Sequence, residues 1–199
     1  MATILLFDID GTLITSGGAG RRAMTRAFDA IIGPRAPLEP FDGMTDQQIV
    51  RRELAHLTPD ASARVMQEIF TLYLEYLVHE VASTEAARFR VHAGVEEALL
   101  AAAASGAALG LGTGNLREGA RIKLERVQLF QRFAFGGFGC DAHERAEVLR
   151  HGAERGARAL GVPLADCRVV VIGDTPKDVS AARAIGAACL GVGTGSYSP

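Results

Sequence analysis

The chain has 199 residues, with 21 Lys+Arg against 23 Asp+Glu and a formal net charge of −2. That balance excludes a basic nucleic-acid module and provides no polybasic anchor for a membrane surface. With 48% hydrophobic and 22% charged residues, the composition is that of a globular chain with room for one sizeable core, or a core carrying an insertion.

Residues 4–9 form a short apolar run without alternation, the pattern of a strand buried on both faces. The next comparable runs lie near residues 107–112, 133–138, 168–172 and 187–192. Helical patterns separate the later ones: 94–105 with Val95, Leu99 and Ala102 on one side, 116–127, and 143–160 with Leu149, Ala153, Ala157 and Leu160 on one face. The last helix is capped by Thr175, opened by Pro176 and closed at Gly186. Alternating strands and helices give an α/β fold, a Rossmann-like parallel sheet with helices on both faces. The uncharged stretch 98–116 is long enough to span a bilayer, but its Ala, Gly, Ser and Thr content fits a buried helix, a break at Ser105-Gly106 and a buried strand.

The first crossover is far longer than one helix requires. Residues 19–32, about 45–56, and a longer segment opened by Thr58-Pro59 all read as helices. The last carries Val65, Ile69, Leu72, Tyr73, Tyr76 and Leu77 on one stripe, and Pro34, Pro37, Pro40 and Gly43 punctuate the link between the first two. The chain therefore divides into an α/β core of residues 1–14 and 89–199 and an inserted all-helical cap domain of residues 15–88. Cys140, Cys167 and Cys189 are widely spaced, make neither a disulfide framework nor a zinc site, and suit a reducing, cytoplasmic setting. The N-terminal apolar run meets Asp8 and Asp10 at once and does not read as a signal peptide.

Three motifs fall at the C-terminal ends of strands, where open parallel sheets bind ligands. Asp8-Ile9-Asp10-Gly11-Thr12 follows the first. Its two carboxylates alternate in direction along a strand, but a turn at Gly11 can bring them together. They then serve as nucleophile and acid/base, as magnesium ligands, or as two turn-forming aspartates. Gly112-Thr113-Gly114-Asn115 opens a helix, which makes either an anion site or an ordinary capped turn. Gly173-Asp174-Thr175-Pro176-Lys177-Asp178 places Asp174 at the same edge, and Thr175-x-x-Asp178 has near capping-box spacing. Asp141 and Glu144 also have capping-box spacing, His143 reads as solvated or capping, and Arg145 falls in the first turn of its helix, within reach of a phosphate. Carboxylates converging on one edge repel unless a cation sits among them.

In the order and spacing of these motifs the chain resembles, over nearly its whole length, the haloacid dehalogenase superfamily. The likeness is to its phosphatase branch, which carries a helical cap after the first strand, and is phosphoglycolate phosphatase-like. The resemblance implies a magnesium-dependent phosphatase that hydrolyses a small phosphomonoester through an aspartyl phosphate. It assigns Asp8 as nucleophile, Asp10 as acid/base, and Asp8, Asp10 (through its backbone carbonyl), Asp174 and Asp178 to Mg2+. Thr12, Thr113, Gly114 and Asn115 are expected at the substrate, and Thr45, within Gly43-Met44-Thr45-Asp46, at the leaving group. The expected partner is a small phosphorylated metabolite, with neither nucleic acid nor membrane, and the protein is expected as a monomer or homodimer. A phosphosugar mutase would keep the same catalytic residues, and a non-enzymatic phosphate-binding or phospho-acceptor protein is the alternative of another class. A metal-free dehalogenase would lack Asp10.

Two departures stand out. The family's third motif usually carries a lysine, and this chain has only Lys123 and Lys177. Lys123 falls about 12 Å along its helix, too far for its side chain to return, and Lys177 is expected to face solvent, so the role passes to Arg145. Relatives also commonly continue beyond Ser198-Pro199, which leaves either an uncovered sheet edge or a shortened chain.

Overall fold

The computed structural model describes residues 1–34 and 41–197, so Pro37, Pro40 and Ser198-Pro199 lie outside the described residues. Seven strands are present among them: β1 (Ala2–Phe7), β2 (Ile14–Thr15), β3 (Arg90–Val91), β4 (Ala108–Gly112), β5 (Phe135–Gly137), β6 (Cys167–Gly173) and β7 (Ala188–Gly191). Five of them form a parallel sheet in the order β5-β4-β1-β6-β7. β1 lies at its centre, with Phe7 level with Leu111 on one side and Ile172 on the other. Burial from both sides explains why β1 shows no alternation. It ends at Phe7, two residues short of the expected run. The Ile9 carbonyl is drawn into a turn, accepting the N–H groups of Leu13 (2.9 Å) and Ile14 (3.1 Å), and leaves the ladder.

The helices are α1 (Ala19–Ile32), α2 (Asp46–Glu53), α3 (Pro59–Ser83), α4 (Val95–Ala104), α5 (Arg117–Glu125), α6 (Arg145–Leu160) and α7 (Pro176–Ala184). Leu149, Ala153 and Ala157 of α6 and Ala181 and Ala182 of α7 cover one face of the sheet through Ile4, Leu6 and Val171. Leu99 of α4 and Ala120 and Leu124 of α5 belong to the core on the other face, which runs on into α1 and α3. α6 packs tightly against the sheet: a Cβ on Gly137 would lie 1.8 Å from the Val148 carbonyl oxygen, so only glycine fits there. The uncharged stretch resolves into the end of α4, a turn and β4, and no helix among the described residues is long and apolar enough to cross a membrane.

α6 begins at Arg145, later than expected, and has no side-chain cap. Asp141 does not cap it. Its carboxylate instead accepts the Phe138 N–H (2.9 Å) and pairs with Arg155 (2.8 Å at Nη2). At α7 the expected cap is present: Thr175 and Asp178 form a reciprocal capping box, and Pro176 is the first helical residue.

α1, α2 and α3 lie between β2 and β3. These two strands pair antiparallel, Ile14 with Val91 and Thr15 with Arg90, and so bring the two ends of the helical insertion together. Along α3 the fully buried residues are Ile69, Tyr73, Leu77 and Val81, four residues apart, and they meet Ala19, Ala23, Met24, Ala27 and Phe28 of α1. Arg22 and Arg26 pin the two helices together through Glu80, at 2.6 and 2.9 Å.

Candidate active site

The C-terminal ends of β1, β4 and β6 open into one cavity of about 460 Å³. Asp8 and Asp10 both line it, because the turn at Gly11 (φ +83°) folds the chain back after β1. Gly11 is required for space as well: a Cβ there would lie 2.4 Å from Asp174 Oδ2.

Asp8 is 6% exposed, and its Oδ2 lies 3.1 Å from Arg145 Nη2. Arg145, the first residue of α6, also donates from Nε to Asp178 Oδ1 (2.9 Å). The other oxygen of Asp178 accepts the Thr175 N–H (3.0 Å) and hydroxyl (2.7 Å), so this one side chain caps α7 and anchors Arg145. Asp8, Asp174 and Asp178 each offer an oxygen within 4.8 Å of the others. Burial, with Asp178 adding to it, pushes the Asp8 carboxyl up to about 6 against the pull of Arg145. Burial likewise raises Asp174. Three hard-oxygen groups facing a single guanidinium have the chemistry of a divalent-cation site.

Asp10 turns its side chain away from that cluster. Its Oδ1 accepts the Ser16 hydroxyl (2.8 Å), and its Oδ2 accepts Asn115 Nδ2 (3.0 Å) and Lys123 Nζ (2.6 Å). Burial alone would raise its pKa, but the Lys123 ammonium and these hydrogen bonds hold it below the usual carboxylate range. The Asp10 side chain is thus committed to Ser16, Asn115 and Lys123.

Lys123 corrects the sequence reading. It is 4% exposed and bridges Asp10 to Asn115 Oδ1 (2.6 Å). Two features bring the ammonium back farther than helix rise alone allows. Side chains on a helix lean toward its N-terminus, and Asp10 comes out from β1 to meet the lysine. A sequence signal existed: Leu116, Ala120, Lys123 and Leu124 share the buried stripe of α5, so a lysine sits where an apolar residue belongs. Lys177 is exposed, as expected.

None of the three threonines expected at the substrate or its leaving group lines the cavity. Thr12 gives its hydroxyl to Asp174 Oδ1 (3.1 Å). Thr113, fully buried, accepts Asn115 Nδ2 (2.9 Å). Thr45 caps α2 in a capping box with Gln48 and donates to the His143 carbonyl (2.8 Å). Gly114 and Asn115 do line it, as do Arg145 and Asp174. From the helical insertion come Met24, Asp46, Ile49 and Tyr73. Asp46 also fastens the insertion to the core: its N–H donates to Gly114 O (2.8 Å) and its Oδ2 accepts the Leu116 N–H (2.8 Å). Burial raises the Asp46 carboxyl to about 6, although Lys123 and the Leu116 N–H oppose the shift.

A family model described as haloacid dehalogenase-like hydrolase matches residues 2–186. Among solved structures the chain is similar to CbbY from Rhodobacter sphaeroides in complex with phosphate, at 20% identity and a TM-score of 0.73, with 100% of this chain and 90% of that one covered. A hydrolase from Pseudomonas syringae is 23% identical with a TM-score of 0.67, covering 98% and 87%. A predicted phosphoglycolate phosphatase from Haemophilus somnus 129pt is 20% identical with a TM-score of 0.67, covering 98% and 86%. At these identities the likeness is one of fold. No curated protein sequence matches the chain.

Proposed function

The chain belongs to the haloacid dehalogenase-like hydrolases, and on that premise we propose that it is a magnesium-dependent phosphatase acting on a small phosphomonoester, with the helical insertion as its cap. One observation carries the reading. A buried carboxylate paired with an arginine (Asp8) and a second carboxylate held by a lysine (Asp10) line the same cavity at the C-terminal edge of the sheet.

Asp8 is the nucleophile. Its oxygen bonds to phosphorus as the ester oxygen leaves. Asp10, ionised beside Lys123 in the free protein, takes up a proton from solvent as the negative substrate binds and gives it to that oxygen. Asp10, now a base, then takes a proton from water as the water oxygen attacks the aspartyl phosphate, releasing inorganic phosphate and restoring Asp8. Arg145 orients Asp8 and offers charge to the transferring group, and Gly114 and Asn115 line its approach. Phosphoryl transfer demands mostly positioning and electrostatic stabilisation, which these fixed groups supply. Asp8, Asp174 and the backbone carbonyl of Asp10 would hold Mg2+, with Asp178 in support. When bound, the ion would neutralise charge on the phosphoryl oxygens. The insertion excludes bulk water from the cavity.

Turnover of p-nitrophenyl phosphate with Mg2+, its loss in EDTA, and trapping of an acid-precipitable acyl phosphate on the protein test the reading. Turnover that persists in Asp8→Asn would overturn it.

A further inference from the structure

The end of the cavity beyond Asp10 is walled by polar groups that the chemistry above does not use. Tyr73 is 1% exposed, yet its hydroxyl makes no hydrogen bond among the described residues, and the residue lines the cavity. Lys123 Nζ and Tyr73 Oη converge there: a Cβ on Gly20 of α1 would lie 3.0 Å from the first and 3.9 Å from the second. Asp46 lines the same wall, with one carboxylate oxygen on Leu116 and its Oδ1 without a donor among the described residues.

We propose that Tyr73, Asp46 and Lys123 form a leaving-group subsite that reads hydroxyls, so that the preferred substrate is the phosphomonoester of a short neutral polyol. The inference rests on the phosphatase reading, because it is Asp10, the proton donor, that fixes where the leaving oxygen lies.

Charge selects among leaving groups. The subsite sets the Lys123 ammonium beside the Asp46 carboxylate. A leaving group with its own carboxylate would face Asp46, and one with an ammonium would face Lys123, in a buried space where neither is screened. Arg21 also lines the cavity, but it is exposed and its charge is screened by water. Hydroxyl groups fit all three partners, since each donates and accepts. Asp46 Oδ1 accepts, and the Tyr73 hydroxyl does either. The ammonium has a donor beyond those spent on Asp10 and Asn115. Burial and the neighbouring carboxylates push the Tyr73 phenol well above its usual range, so it keeps its proton. Met24 and Ile49 supply the apolar wall for the carbon chain, and a cavity of about 460 Å³ is of the size that binds small metabolites. A site with buried polar groups rejects analogues that leave those groups unpaired.

The experiment compares kcat/KM for four small esters: glycerol 3-phosphate, n-propyl phosphate, 3-phosphoglycerate and phosphoethanolamine. p-Nitrophenyl phosphate is run alongside as a general test of phosphatase activity. Glycerol 3-phosphate is expected to exceed each of the other three by about tenfold or more. Tyr73→Phe, which deletes one oxygen, should shrink the ratio of glycerol 3-phosphate to n-propyl phosphate to within about threefold of unity, mainly through KM. Asp46→Asn, which retains an acceptor for Leu116, should raise the relative rate of 3-phosphoglycerate. Thermal unfolding confirms that both variants fold. A preference for the carboxylate or the amine, or a hydroxyl preference that survives both substitutions, overturns the subsite. If p-nitrophenyl phosphate is hydrolysed without any polyol preference, the subsite fails and the phosphatase reading stands. If no ester is hydrolysed, both fall together.

Discussion

Replacing Arg145 by Met keeps the length and apolar stem of the side chain and removes the positive charge that pairs with two buried carboxylates. Arg145 and Asp8 are each 6% exposed and Asp178 is fully buried, with contacts of 3.1 Å to Asp8 and 2.9 Å to Asp178. Removing one partner of a buried pair typically costs about 3–5 kcal/mol, because the remaining charge stays desolvated. Asp8, with its carboxyl already near 6, escapes part of that loss by taking up a proton. At pH 7.5 without metal the expected loss is about 3 kcal/mol, which for a chain of this size lowers Tm by about 6–12 °C. Two further arms test the cause. Arg145→Met with Asp178→Asn should recover about 1–2 kcal/mol, since one of the stranded carboxylates is gone. Magnesium should narrow the gap between Arg145→Met and wild type, because a cation replaces the missing charge. Thermal unfolding in EDTA and in excess Mg2+ reads all of this. A Tm for Arg145→Met within 2 °C of wild type in EDTA would refute the reasoning, as would a double variant less stable than the single one.

Asp8→Asn should abolish turnover with little change in Tm, measured by phosphate release; a tenth of wild-type kcat would remove Asp8 from the chemistry. Activity should vanish in excess chelator and return with Mg2+ but not Ca2+, whose larger and looser coordination spoils the attack geometry; full rate in EDTA would sink the metal assignment. Lys123→Met should lower kcat by about 10²-fold or more, the usual worth of acid–base help, because Asp10 loses its anchor; a kcat within twofold of wild type would leave Lys123 a packing residue. Asp46 should make stability fall with rising pH. Its folded pKa of about 6 stands above the ordinary 3.8, so the folded state holds the proton more tightly. The resulting penalty, about 3 kcal/mol, is full above pH 6 and disappears as pH falls toward 4. Asp46→Asn should therefore be more stable than wild type at pH 7.5 and converge with it near pH 4; a stability difference independent of pH would contradict this.

The architecture was legible because its signals are local. Unalternating apolar runs gave the five parallel strands, and Thr175, Pro176 and Gly186 bounded the last helix within a residue or two. The three aspartate- and threonine-bearing turns were legible too, since each follows a strand. What the sequence concealed depends on reach across the fold. Helix rise alone sets Lys123 aside, whereas its contact is with Asp10, more than a hundred residues away in the turn that follows β1. Thr45 was placed at the substrate, but its backbone opens a helix and its hydroxyl is spent on that role. Tyr73 fell on an apolar stripe and read as core. That reading holds for its ring, while its hydroxyl lies at a cavity wall that only the packing of α1 against α3 creates.

Three of the hydrogen bonds that fasten the insertion to the core lie beside the cavity: Asp46 N–H to Gly114, Leu116 N–H to Asp46, and the Thr45 hydroxyl to His143. At about 1 kcal/mol net apiece these three alone favour the shut arrangement by about 3 kcal/mol, and the apolar core shared by α1, α3 and α5 adds to that, so the open fraction lies below roughly 1%. A substrate that enters only when the insertion swings away then binds with its intrinsic affinity diluted at least about a hundredfold. The same contacts lengthen the waiting time for phosphate to leave, so weakening any one of them trades tight enclosure of the reaction for faster exchange with solvent.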